Sequence, residues 1–234
     1  MRLKIASWNI LNNHKVPVHL SQEERLDIII KEVNSARGKS DRFILFLCEC
    51  ESVDNITKIA SKTNLEVVGR PYQYRNHREE YFVFLADKRT SVNSSVRNIR
   101  LNSSKNDGIL VLETTKLTLI GCHLPYRIVF NLLSRWRLIL KILKLKPTAF
   151  FGDFNATTFF PIRLFIKIFG YKESHKLFRR PPFPSPIFRG KNIHWWLPNI
   201  NIDAIYSKET TVINSGFSLN NGSDHPLIWS EFEI

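Results

Sequence analysis

The feature that most constrains the fold is a series of short apolar runs spaced along the whole chain. They cover Leu3 to Trp8, Phe43 to Leu47, Tyr81 to Leu85, Ile109 to Leu112, Leu117 to Gly121, Thr148 to Phe151, Ile202 to Tyr206 and Leu227 to Ser230. Runs of this length, rich in Ile, Leu, Val and Phe, read as strands. Helical patterns lie between some of them. Ser21 to Val33 opens on Ser21 with Glu24 three positions later, the spacing of a capping box. Ser52 to Lys62 and Asn131 to Lys144 also read as helices. Hairpins mixed with helices predict an α/β protein with mixed sheets. With 234 residues, one domain spanning 1–234 is expected. No apolar run has the length needed to cross a bilayer.

Composition matters where it departs from the ordinary. Lys and Arg number 34 against 21 acids, a net charge of +13, which points to an anionic partner. From Pro125 to Lys191 there are 14 basic residues and 2 acids, so nearly all of the excess lies in this one stretch. Within it, Ser134, Arg137, Lys141 and Lys144 form a polar stripe at helical spacing, which by itself reads as a solvated helix face. The proline-rich segment Arg179 to Trp196 reads as a long surface loop. Three cysteines, Cys48, Cys50 and Cys122, cannot all pair. Cys48 and Cys50 stand two apart in a predicted strand and so should point the same way. The opening residues read as a strand rather than as a signal core, so a cytoplasmic, reducing setting with free thiols is expected.

Chemistry-bearing residues stand at the ends of the predicted strands: Asn9, Glu49, His123, Asp153 with Asn155, Asp203, and Asp224 with His225. Side chains there project from a sheet rim, where ligand sites form. Taken singly, Glu49 reads as a solvated acid, Asp153-Phe154-Asn155 as a turn and His123 as a satisfied interior histidine.

Taken together and in order, the stretches Ala6-Ser7-Trp8-Asn9, Leu45 to Glu49, Gly121 to Pro125, Gly152-Asp153-Phe154-Asn155-Ala156, Ile202 to Ile205 and Gly222-Ser223-Asp224-His225-Pro226 resemble the endonuclease/exonuclease/phosphatase superfamily. The resemblance implies a deoxyribonuclease I-like fold, a four-layer sandwich of two packed mixed β-sheets flanked by helices. It implies that Glu49 binds a divalent cation, Mg²⁺ or Mn²⁺, helped by Asn9 and Asp224. It further implies that Asp153 and Asn155 meet the scissile phosphate or the attacking water. His225, held by Asp203, would be the general base or face the phosphate. Residues 75–85 resemble the deoxyribonuclease I segment whose acid partners a second catalytic histidine, which makes Glu79 the partner of His123, or Glu80 if the register slips by one. Cys48 stands where many relatives carry Gln.

The chemistry agrees with those roles. A hard cation on oxygen ligands neutralises a phosphodiester and acidifies bound water. An acid beside a histidine fixes its tautomer. The expected activity is that of a metal-dependent phosphodiesterase, first of all a DNA endonuclease of little sequence preference. Arg179, Arg180, Arg189 and Lys191 would contact backbone phosphates, and Trp195 and Trp196 would stack on bases. The alternative is a membrane-surface phospholipid phosphodiesterase or inositol-phosphate phosphatase, with Phe159, Phe160, Phe165 and Phe169 among basic residues on a lipid surface. Against that, Phe165 and Phe169 share a helical face and read as core-facing.

Overall fold

The structure is a computed structural model. It describes residues 2–10, 20–40, 42–75, 78–91, 94–99, 108–124, 132–155, 161–174, 203–218, 222–223 and 225–234, with backbone alone at 74, 75, 78, 79 and 132–134. In chain order the elements are β1 (Arg2–Asn9), α1 (Gln22–Arg37), β2 (Phe43–Cys50), α2 (Val53–Lys62), β3 (Glu66–Arg75), β4 (Arg78–Ala86), α3 (Lys88–Ser91), β5 (Ser94–Ile99), β6 (Gly108–Thr114), β7 (Thr118–His123), α4 (Leu132–Lys144), β8 (Ala149–Asp153), α5 (Pro161–Ile168), β9 (Lys172–Glu173), β10 (Asp203–Ser207), β11 (Thr211–Ser218) and β12 (Leu227–Glu233).

The strands form two six-stranded sheets, ordered β11-β12-β1-β2-β4-β3 and β5-β6-β7-β8-β10-β9. Each sheet holds one parallel pair, β1 with β2 and β7 with β8, while the other neighbours run antiparallel. Alternation along the strands divides the apolar residues among three cores. Ile5, Phe46, Phe84, Leu110, Phe151 and Ile228 lie between the sheets. Leu45, Leu47 and Val83 meet Ile29, Val33, Ile56 and Ile59 of α1 and α2. Val111, Ile120 and Phe150 meet Leu138, Ile142, Ile162 and Ile166 of α4 and α5. The order is helix, sheet, sheet, helix, the four layers expected.

Phe46 sits 5.4 Å from Phe84 and 6.4 Å from Phe151, ring centroid to centroid, which locks one sheet against the other. Burying each such ring contributes about 2–3 kcal/mol. The capping box at α1 is complete: Ser21 Oγ accepts from the Glu24 N–H, and the Ser21 N–H donates to the Glu24 carboxylate. Among the described residues no helix is long and apolar enough to cross a membrane.

One expectation fails for a local reason. Cys48 and Cys50 do not share a face: Cys48 belongs to the core between the sheets and Cys50 to the core under α1 and α2. Glu49 between them has φ 55, in the left-handed region, and the β2–β4 register slips there, from Leu47 opposite Val83 to Cys50 opposite Tyr81. A bulge puts one extra residue into β2 and reverses the alternation beyond it. All three cysteines are free and buried.

Candidate active site

The two parallel pairs end at the same rim, and their last residues carry the chemistry. Asn9 closes β1, Glu49 lies one residue before the end of β2, His123 closes β7 and Asp153 closes β8. Asp203 opens β10 directly opposite Asp153, and His225 stands just before β12. Six of the residues expected at a common site are therefore within one cluster, contributed by both sheets.

Asp153 is its hub. Asn9 Nδ2 donates to Asp153 Oδ2 and to Glu49 Oε1, each at 3.2 Å. His123 Nε2 lies 3.4 Å from Asp153 Oδ2 and 3.5 Å from Glu49 Oε1. His225 Nε2 is 3.9 Å from Asp153 Oδ2, and its Nδ1 is 2.8 Å from Asp203 Oδ2. A carboxylate can only accept, so Nδ1 of His225 carries the proton and a neutral ring offers the Nε2 lone pair to the cluster. Burial alone would raise the Asp153 pKa. The His225 and His123 imidazoles and the Asn155 N–H outweigh it and hold Asp153 at about 2. Burial would likewise lower His123, but the Asp153 hydrogen bond and the charges of Asp153 and Glu49 prevail and raise it.

The rim is braced by the backbone. Gly152, at φ 143, passes so close to β7 that a Cβ would fall 1.8 Å from the Cys122 carbonyl oxygen. Only glycine lets β8 deliver Asp153 there. Asn155, at φ 46, donates its N–H to Asp153 Oδ1 at 2.7 Å and its Nδ2 to the Leu124 carbonyl at 2.7 Å. It thus ties the end of β8 to the end of β7.

The His225 segment is held by residues to which sequence reading gave no role. Trp8 Nε1 donates to the His225 carbonyl at 2.9 Å. Ser223 Oγ donates to the Asn9 carbonyl at 2.6 Å and accepts from the His225 N–H at 3.1 Å. Buried Arg25 of α1 donates to the Gly222 carbonyl at 2.9 Å and to the Ile10 carbonyl. Arg135 of α4 is also fully buried; burial lowers its pKa, and the Asp153 charge opposes that shift. The signal was present in the sequence: Arg25 falls in line with Ile29, Val33 and Ala36, and Arg135 with Leu138, Ile139 and Ile142. A cation on an apolar helical stripe has an interior partner or a site to serve.

The donor set suits a hard divalent cation. Two carboxylates, Glu49 and Asp153, converge on the same two nitrogens, Asn9 Nδ2 and His123 Nε2, and Asn9 would serve a cation through its amide oxygen. Burial, then the nearby carboxylates Asp153, Glu49 and Asp203, push the Cys48 thiol well above its ordinary pKa, so it stays protonated and offers no thiolate. Asp153, Asp203 and His225 also lie close enough together to share an ion. The 2.8 Å contact between Asp203 and His225 instead commits that pair to a hydrogen bond.

Asp224, Arg179, Arg180, Arg189, Lys191, Trp195 and Trp196 lie outside the described residues, as does the Glu79 side chain. Glu80 is buried, two residues before Phe82 in β4.

No family model and no curated protein matches the sequence. Solved structures do match. The human Nocturnin catalytic domain with bound sulfate is 17% identical, with a TM-score of 0.75, over 99% of this chain and 94% of that one. An endonuclease/exonuclease/phosphatase from Bacteroides vulgatus is 14% identical, with a TM-score of 0.72, over 100% and 99%. TDP2 from D. rerio, complexed with a single-strand DNA product, is 14% identical, with a TM-score of 0.67, over 100% and 99%. The chain has the endonuclease/exonuclease/phosphatase fold.

Proposed function

We propose that the rim hydrolyses phosphodiester bonds with a divalent cation, and that its substrate is DNA cut with little regard to sequence. The observation that carries the reading is the Asp203–His225 pair at 2.8 Å, with the other imidazole nitrogen, Nε2, 3.9 Å from Asp153 Oδ2. The neighbours support it, since one of them holds a sulfate and another a single-strand DNA product.

Glu49, with Asp153 and Asn9, would hold Mg²⁺ or Mn²⁺, and Asp224 is a further candidate. A cation there neutralises phosphate charge and acidifies bound water. His225 Nε2 takes a proton from water as the water oxygen bonds to phosphorus, and Asp203 stabilises the imidazolium that results. Asp153, charged at neutral pH, orients that water or the phosphate. His123 faces the phosphate and, in its protonated form, gives a proton to the departing ester oxygen when the P–O bond breaks. Asn155 holds Asp153 in place. For the partner of His123 we favour Glu80 over Glu79. Glu80 is buried, and Phe82, two residues further along β4, packs against Gly108, which pairs with His123.

The preference for nucleic acid rests on the +13 charge and on its concentration in the stretch that includes Asp153. Arg179, Arg180, Arg189 and Lys191 are proposed to contact phosphates, with Trp195 and Trp196 as stacking partners. The test is a panel of supercoiled plasmid, single-stranded DNA, RNA, phospholipid and inositol phosphate, each with Mg²⁺ or Mn²⁺. Nicking of the plasmid is expected. Release of a lipid head group or of inorganic phosphate, with the plasmid intact, would transfer the same chemistry to the alternative substrates.

A further inference from the structure

We propose that the outer face of α4 and α5 docks on an anionic lipid surface. The inference concerns where the protein sits and holds whichever phosphodiester it cleaves.

Helix α5 is apolar on two sides. Ile162 and Ile166 are buried against the second sheet. On the opposite side Leu164 is 64% exposed and Ile168 72% exposed, one helical turn apart, and Phe169 beyond the helix end is 45% exposed. The expectation that Phe165 and Phe169 face the core together is thus only half met. Phe165 is half-buried, edge-on to Trp136 of α4 at 5.0 Å, and Phe169 lies outside it with its ring tilted at 4.8 Å. These rings join the two helices into one platform. On α4, Leu140 is 40% exposed within a polar stripe otherwise made of Arg137, Lys141 and Lys144. Lys167 of α5 is exposed as well, with Glu173 of β9 4.0 Å from its Nζ, and neither helix contains an acid.

Exposed aliphatics among cations, with no acid in either helix, select an occupant. A nucleic acid would use the cations but has nothing for Leu140, Leu164 and Ile168, which lack a face on which a base can stack. A second copy of the chain would set Arg137, Lys141 and Lys144 against themselves. At an anionic membrane both parts are used: aliphatic side chains enter the acyl boundary while lysine and arginine heads reach the phosphates. The platform covers the broad outside of the second sheet, whereas the catalytic cluster is at the strand ends, so docking leaves the cluster accessible.

The full chain is to be floated with vesicles of phosphatidylcholine alone and of phosphatidylcholine with phosphatidylglycerol in equal parts. Flotation with the phosphatidylglycerol vesicles alone is expected. Leu164→Ser with Ile168→Ser should weaken partition by about tenfold or more, with an unchanged thermal midpoint because both side chains face water. Ile168→Ser by itself should act in the same direction to a smaller extent, which guards against misfolding of the pair. Charge reversal at Lys141, Lys144 and Lys167 should also weaken it. Failure to float with phosphatidylglycerol overturns the proposal. Equal flotation of the double serine variant overturns it too, since a +13 protein would then be adsorbing through another face. A concentration-dependent dimer abolished by the same variant would assign the face to self-association instead.

Discussion

At Glu49 the chemistry and the backbone conflict. A non-glycine residue at φ 55 costs about 1 kcal/mol or more, and the bulge that imposes it turns the carboxylate into the rim beside Asp153. The identity of the acids and histidines was legible in the sequence because each stands at one end of an apolar run or just beside it. The bulge was not, because nothing in Leu47-Cys48-Glu49-Cys50 marks the extra residue, and so the face of Cys50 was misjudged. Arg25, Arg135 and Trp8 were given no role because their roles depend on partners far along the chain. Asp203→Asn should cut turnover by about 10²-fold or more, with DNA affinity retained, as read from single-turnover rates and equilibrium binding. Glu80→Gln should slow turnover more than Glu79→Gln and should shift the pH–rate profile, because it acts through His123. In metal-free protein the signs of two titrations are opposite. His123, raised above 6.5, contributes stability that is full below 6.5 and is lost as pH rises through its folded value. Asp153, lowered from 3.8 to about 2, contributes stability that is full above 3.8 and is lost as pH falls toward 2. Thermal midpoints in chelator should therefore decline from slightly acid to alkaline pH, and less steeply in His123→Gln.

At the scale of elements, the eight predicted strands and three predicted helices all occur, with ends shifted by a few residues. β3, β5, β9 and β11 were missed for physical reasons, β9 because it has only two residues. β3 contains Gly69 and Pro71 and is irregular against β4. β5 and β11 are sheet edges with polar, largely exposed sequences, so no apolar run announces them. What the elements do for the site is position its strand ends. Gly152→Ala should destabilise by about 3 kcal/mol or more, read from the denaturant midpoint, and should lose turnover even where it stays folded, because β8 must shift off the Cys122 carbonyl. Arg25→Met removes the link from α1 to the carbonyls on either side of the cluster and should lower turnover by about tenfold while leaving substrate affinity close to wild type.

At the scale of the molecule, two sheets with one parallel pair each bring four strand ends to one rim, and the two antiparallel neighbours β10 and β12 supply the remaining acid and imidazole. Charge is the other global property. If backbone phosphates are the main contacts, duplex affinity should fall by about 10³-fold or more between low and physiological salt, as read by fluorescence anisotropy. The most direct measurement is plasmid nicking in Mn²⁺ by the wild-type protein, Glu49→Gln and His225→Ala, with chelator as the blank. Nicking by the wild type that stops in chelator, and falls by about 10²-fold or more in both variants, is the predicted result. Glu49→Gln and His225→Ala cutting at the wild-type rate would contradict it.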